Sequence, residues 1–473
     1  MAGIPRTVGE DLDSLRLGLH RPADRTRSRC RVERGRRATP LWQEGDAVTL
    51  RPRLEGSHEA DVAIVGGGYT GLWTAYYLKT LQPNLRITIL ESRHVGFGGS
   101  GRNGGWCSAF LPMSPDEMAA EHGRGAMEFI QRTMFATVDE VGRVARDEGI
   151  DCGFVKGGTL TSASNEAHVD RLREYVASWH AMGFTDDDVM WQSANQISSR
   201  IAVARTLGGT YSPHCAAIQP WHLVRGLARV LESRGVEIFE DSPATLIDQG
   251  RVVTTSGEIR ARYVVRAIES FASQMEPTKR SIVPLYSLMV ATEPLPDHVW
   301  RSLGWSGRET FADGRNMVTY AQRTVDGRIA FGGRGAPYHF GSQIADRFDR
   351  HERIHRKLEE TVREVFPQVA DAKITHRWGG PVGAPRDWHA FANVDHSTGL
   401  CAGGGYVGDG VALANLVGRT LAHQIADTGD PLTIARGFGW SARDITSPDD
   451  LTDALRATLG KGLHLLRICV EAR

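Results

Sequence analysis

Ala60-Asp61-Val62-Ala63-Ile64-Val65-Gly66-Gly67-Gly68-Tyr69-Thr70-Gly71 decides the reading of the fold. Residues 62–65 form a short apolar run rich in β-branched side chains, as expected of a strand buried on both faces of a parallel sheet. Gly66, Gly68 and Gly71 then stand at G-x-G-x-x-G spacing, and residues 72–81 continue with the apolar period of a helix. A second apolar run, 85–90, ends on Glu91, which gives a βαβ unit with an acidic residue roughly twenty positions past the glycines. Each part has a physical use. Gly66 permits the tight turn, Gly68 lets backbone approach a pyrophosphate, and Gly71 lets the helix sit close to the strand. The helix start at Tyr69 and Thr70 aims free N–H groups and a positive dipole end at the phosphates, and Glu91 can accept hydrogen bonds from ribose hydroxyls. The whole unit predicts a dinucleotide site; an ordinary βαβ unit with a glycine turn is the competing reading.

At 473 residues the chain exceeds one simple core, so two domains or an interleaved pair are expected. The 56 Lys plus Arg balance the 56 Asp plus Glu, which argues against nucleic acid as a partner. The six cysteines are scattered without a C-x-x-C pair and read as reduced thiols in a cytoplasmic protein. No apolar run has the length of a membrane span, and the start lacks the apolar core of a secretory signal. Residues 1–56, dense in arginine over 21–37, are expected to be a flexible leader.

The next informative stretch is Gly98-Gly99-Ser100-Gly101-Arg102-Asn103-Gly104-Gly105, where so many glycines imply backbone lying against something flat or charged. The run resembles the Gly-Ala-Ser-Gly-Arg-Asn-Gly-Gly segment of the FAD-dependent amine and D-amino-acid oxidase superfamily. The likeness is nearest to γ-glutamylputrescine oxidase-like and glycine/sarcosine oxidase-like flavoenzymes. It implies that Ser100, Arg102, Asn103, Gly104 and Gly105 contact FAD. A glycine-rich surface loop is the alternative.

Farther on, helices are expected over 118–148 as a pair outside the nucleotide domain, over 166–182, over 221–234 with Gly235 as a left-handed cap, and over 346–366. Strands are expected over 154–160, at four places between 236 and 266, and over 281–294, 317–321 and 328–332, with 208–220 a turn-rich link. A second strand, glycine turn and helix runs through Gly403-Gly404-Gly405-Tyr406-Val407-Gly408-Asp409-Gly410-Val411 into 412–425. It resembles the family's Gly-Tyr-x-Gly-x-Gly signature. The likeness makes Gly405, Tyr406, Val407, Gly408, Gly410 and Val411 cofactor-binding, with N–H groups of 407–411 stabilising negative charge on the reduced flavin. Trp378 and Gly379 are placed near the flavin on the same ground.

The resemblance implies a Rossmann-like FAD-binding domain (57–115, 215–275, 371–430) interleaved with a mixed-sheet substrate domain (116–214, 276–370), followed by an appendage at 431–473. Arg334, with Tyr338 and His339 close behind glycine turns, is the candidate group facing the ring and an anionic substrate. A surface arginine in a hairpin competes for Arg334, and a surface role is the stronger reading for His339. Some relatives hold a lysine near this loop for reaction with oxygen; here no lysine occurs between Lys279 and Lys357.

The expected reaction is oxidation of the C–N bond of a small amine or amino acid, with oxygen or another electron acceptor. A dehydrogenase for an anionic substrate, a nicotinamide-binding module and a non-catalytic flavoprotein are the alternatives. No Ser-His-Asp spacing, H-E-x-x-H or run of metal ligands points to a hydrolase or metalloenzyme.

Overall fold

The computed structural model describes residues 38–426 together with two paired parallel strands, Ser441–Ile445 and His464–Ile468. The whole arginine-dense stretch and most of the C-terminal appendage therefore lie outside the described residues. Residues 38–55 do not behave as a solvated leader. Leu41, Trp42 and Leu54 are buried, and Arg51 pairs with Glu232 (2.5 Å) and buried Glu240 (2.9 Å).

The chain enters through β1 (Gly56–Val65), α1 (Tyr69–Leu81) and β2 (Ile87–Leu90), the expected βαβ unit, with β1 and β2 parallel from Val62 beside Ile87 to Val65 beside Leu90. α1 is buried all round from Tyr69 to Leu78, as a helix covered on both sides must be. β3 (Trp106–Ser108), α2 (Pro115–His122) and α3 (Arg124–Asp147) follow. Ser114 and Glu117 close a reciprocal capping box at the start of α2, and Gly123 at φ 86° separates the two helices. Met127, Met134, Val138 and Val141 of α3 share one core with Leu72 and Trp73 of α1.

β4 (Thr159–Ala163), α4 (Glu166–Ala181), β5 (Met190–Ser193), α5 (Ala194–Arg200), β6 (Gly208–Ser212) and β7 (Cys215–Ala217) come next. The segment expected as a turn-rich link thus holds two strands. Its glycines serve strand contact instead of turning: a Cβ on Gly209 would collide with the Thr161 carbonyl of β4. α6 (Pro220–Ser233), with Gly235 left-handed at φ 79°, leads to β8 (Glu237–Phe239), β9 (Ala244–Asp248), β10 (Arg251–Thr254) and β11 (Gly257–Arg266). β8 lies parallel beside β2, and β11 lies parallel beside β1.

β12 (Ile282–Thr292), α7 (Asp297–Leu303), β13 (Thr310–Asp313), β14 (Thr319–Arg323), β15 (Ile329–Gly333), α8 (Glu352–Val365) and β16 (Ile374–Pro385) build the second layer. The helix expected from 346 begins only at Glu352, after a 3-10 turn at Asp346–Asp349. β16 pairs along all of β12, so residues 374–385 belong to this second sheet and not to the nucleotide half, where the sequence reading put them. Its order is β16-β12-β15-β14-β13-β4-β6-β5. β17 (Phe391–Asp395), β18 (Leu400–Gly404) and α9 (Gly410–Ile425) return to the first sheet, whose order is β17-β18-β11-β1-β2-β8. In open parallel sheets ligands bind beyond the carboxyl ends of the strands. Here the ends of β1, β2, β11 and β18 all reach one edge, and the second sheet faces it.

Candidate active site

Both glycine turns open on one crevice of about 370 Å³ along that edge. In the first turn Gly66 sits at φ 117°, where a Cβ would collide with the Ala267 carbonyl. A Cβ on Gly71 would collide with the Gly66 carbonyl and stand 3.0 Å from Ile64, which is the close helix-to-strand approach. Gly68 faces the crevice and starts α1 with no side-chain cap, so the helix presents its positive end there. Tyr69 donates its N–H to Ser100 Oγ (2.9 Å). Glu91, buried at the crevice wall, accepts from the N–H of Gly67 (2.9 Å), from Arg93 (3.0 Å) and from Ser92 Oγ (3.1 Å). Burial pushes its carboxyl pKa up while these donors oppose that shift. It holds the turn as well as lining the crevice.

Ser100, Arg102, Asn103 and Gly104 line the crevice; Gly105 does not, and a Cβ there would run into Gln322. The Arg102 guanidinium turns inward, donating to the Ala38 carbonyl (2.8 Å) and facing buried Asp349 at 3.4 Å. Asn103 braces its own loop, bonding the Gly99 and Ser100 carbonyls and the Gly105 N–H.

In the second turn Tyr406, Gly408, Asp409, Gly410 and Val411 line the crevice, whereas Gly405 and Val407 do not. Val407 spends its N–H on the Gly383 carbonyl (3.2 Å) and Asp409 spends its own on Tyr406 (3.0 Å). The N–H groups expected to face the flavin are therefore those of Gly408, Gly410 and Val411. The two turns are tied to each other: Thr70 Oγ1 and Tyr406 Oη, both buried, lie 2.6 Å apart.

Of the four catalytic candidates only Arg334 reaches the crevice, where it donates to the Val407 carbonyl (2.8 Å). Tyr338 is exposed and bonds Ser342, and His339 stacks on Phe348 with ring centroids 3.4 Å apart. Both lie in the loop beyond β15, which carries them off the crevice wall. Trp378 is fully buried, donating its indole N–H to the Arg102 carbonyl (2.9 Å), and Gly379 packs against Leu288 outside the crevice lining. Several wall residues escaped the sequence reading, Tyr320, Glu269 and Asp409 among them. Tyr320 bonds Ser287 (2.8 Å) and lies over Gly104. Glu269, at φ 44°, accepts from Gly383 N–H (2.9 Å). Asp409 is buried, accepts from Ser108 Oγ (3.2 Å) and has its pKa raised by burial. Glu269 follows a strand that pairs with β1, and that position at a parallel strand end is the signal that could have found it.

The sequence matches the FAD dependent oxidoreductase family over residues 61–424. It is 32% identical over 381 residues to the probable oxidoreductase OrdL of Rhizobium meliloti (strain 1021), covering 78% of this chain and 84% of that one. It is 30% identical over 376 residues to the γ-glutamylputrescine oxidoreductase of Escherichia coli (strain K12), with the same coverage. The fold is also that of glycine oxidase from Geobacillus kaustophilus, at a TM-score of 0.63 and 22% identity over 78% of this chain and 95% of the other. The crevice suits FAD on its own terms: a carboxylate at one end, a glycine turn and helix terminus for the pyrophosphate, and a second helix terminus beside Tyr320 and Arg334. This chain belongs to the DAO family and is an FAD-dependent oxidoreductase.

Proposed function

We propose that the enzyme oxidises the C–N bond of a small primary or secondary amine or amino acid. The observation that carries this reading is that Arg334 and buried Asp409 both line the crevice beside the second turn, placing a cation and a carboxyl group where substrate would meet the cofactor. They suit a substrate bearing an anionic group and an amine. The E. coli relative's name, γ-glutamylputrescine oxidoreductase, supports the same substrate class. Bound FAD supplies the two-electron acceptor. The protein's part is to hold the neutral amine with its α-carbon toward the cofactor, which needs positioning more than an acid–base pair. The substrate gives up a hydride from carbon and a proton from nitrogen. The resulting imine takes up water to yield a carbonyl product and ammonia or a smaller amine.

Among the described residues no lysine lines the crevice, which favours a second reading, a dehydrogenase that uses an acceptor other than oxygen and takes an anionic substrate such as an aminophosphonate. A cytoplasmic setting is part of the proposal. Cys107, Cys152, Cys215 and Cys401 are free and buried, and no helix among the described residues is long and apolar enough to cross a membrane.

Mixing the holoenzyme anaerobically with a panel of amines, amino acids and aminophosphonates tests this directly. Bleaching of the flavin absorbance by at least one amine, with release of a carbonyl product, is expected. Bleaching by dithionite but by no member of the panel contradicts it. Slow recolouring in air selects the dehydrogenase.

A further inference from the structure

Away from the crevice, Glu121, His122 and His389 converge where the end of α2 meets the loop between β16 and β17, their ligand atoms all within 4.8 Å of one another. The two imidazoles meet Nε2 to Nε2 at 3.0 Å, with ring planes at 81°. Glu121 places one carboxylate oxygen 3.8 Å from His122 Nε2 and the other 3.6 Å from His389 Nε2. Asp387 fixes the His389 ring, whose Nδ1 lies 2.7 Å from the Asp387 carbonyl while its backbone N–H donates to the Asp387 carboxylate (3.1 Å). A carbonyl only accepts, so Nδ1 carries the proton and the lone pair sits on Nε2, aimed at His122 and Glu121. A backbone carbonyl orienting an imidazole in this way is the usual outer support of a metal ligand. Trp388, just before His389, is held at φ 62°, a conformation bulky residues rarely adopt, and that turn directs His389 toward α2.

We propose that Glu121, His122 and His389 bind one divalent transition-metal ion of the zinc type. Two imidazoles and a carboxylate suit zinc, whereas magnesium and calcium require oxygen ligands. With metal–nitrogen bonds of about 2.0–2.1 Å, the observed 3.0 Å separation closes a nitrogen–metal–nitrogen angle of about 90°. A small opening of the pair and inward movement of the Glu121 carboxylate complete three ligands, with a fourth position left to solvent. His122 is the last residue of α2, whose negative dipole end favours a cation. The ion staples α2 to the loop whose His389 carbonyl lies 2.5 Å from where a Gly405 Cβ would stand, directly behind the second glycine turn.

The test is calorimetric titration of the untagged, chelator-treated, full-length holoenzyme with Zn²⁺, alongside thermal unfolding with and without the ion. Saturable binding of one Zn²⁺ per chain and a higher Tm are expected, with no comparable effect of Mg²⁺. His122→Ala and His389→Ala should each weaken binding at least ~10–100-fold, the loss typical even of an outer support. Glu121→Gln should weaken it less, and His58→Ala, at a histidine outside the cluster, should leave it unchanged. No saturable binding by the parent protein overturns the site, as does parent-like affinity in both histidine variants or an equal Tm rise with Mg²⁺. The parent titration stands even if a variant fails to fold.

Discussion

The two glycine turns use one backbone device with different charge at the mouth. The turn at 66–71 is sealed by backbone, with Gly66 against Ala267 and Gly71 against Gly66, and no charged side chain starts its helix. The turn at 405–411 begins its helix at a buried carboxylate, Asp409, and leans on the Arg334 guanidinium through the Val407 carbonyl. A helix start that carries no charged side chain suits a part of the cofactor that does not change charge in the reaction. A mouth with ionisable groups suits the end where electrons arrive and substrate binds. Under the proposed function the first turn serves to hold a dinucleotide, while the second one bears on what the enzyme does with it.

Breaking the first turn should have the largest effect. Gly68→Val puts a branched side chain against Ser100, where a Cβ alone stands 3.0 Å from Oγ, and into the pyrophosphate approach. FAD binding weaker by at least ~100-fold, about 3 kcal/mol, should appear in the flavin-to-protein absorbance ratio of the purified protein. A variant that retains FAD would break the comparison at its first term. Arg334→Ala acts on the other mouth. It should raise KM for an anionic substrate by around 10–1000-fold while FAD stays bound, and unchanged steady-state kinetics would place substrate elsewhere.

Uncoupling the turns comes next. Tyr406→Phe leaves buried Thr70 Oγ1 without its 2.6 Å partner, a loss of about 1–3 kcal/mol readable by urea unfolding. Equal stability would mean that the turns are held together by packing alone. Asp409→Asn gives the smallest effect and sharpens the contrast in charge. Burial raises the Asp409 pKa, so the folded protein holds this proton more tightly than the unfolded chain. The stability cost therefore grows as pH rises from the ordinary carboxyl value through the folded one. Asparagine, which cannot ionise, should raise Tm relative to the parent above that window, with the gap closing as the pH falls below it.

The first turn was legible because its evidence is local: strand, glycines, helix and Glu91 lie within one short stretch. The second was legible as a turn, but the partners that decide which N–H groups remain available, such as the Gly383 carbonyl, come from β16 and are fixed only by sheet pairing. The catalytic candidates show the limit most clearly. Tyr338 and His339 neighbour Arg334 in sequence, yet the chain leaves β15 at Gly333 and carries them to the surface. Tyr320 and Asp409 share no local pattern with Arg334, and only the facing of two sheets brings all three to one wall. His122 and His389 were hidden for the same reason.

A crystal structure of the holoenzyme tests the central claim most directly. The account expects one FAD with its pyrophosphate at the N–H groups of Thr70 and Gly71 and the pyrimidine edge of its isoalloxazine at those of Gly408, Gly410 and Val411. A ring system lying elsewhere, with the 405–411 turn touching no part of the cofactor, would contradict it.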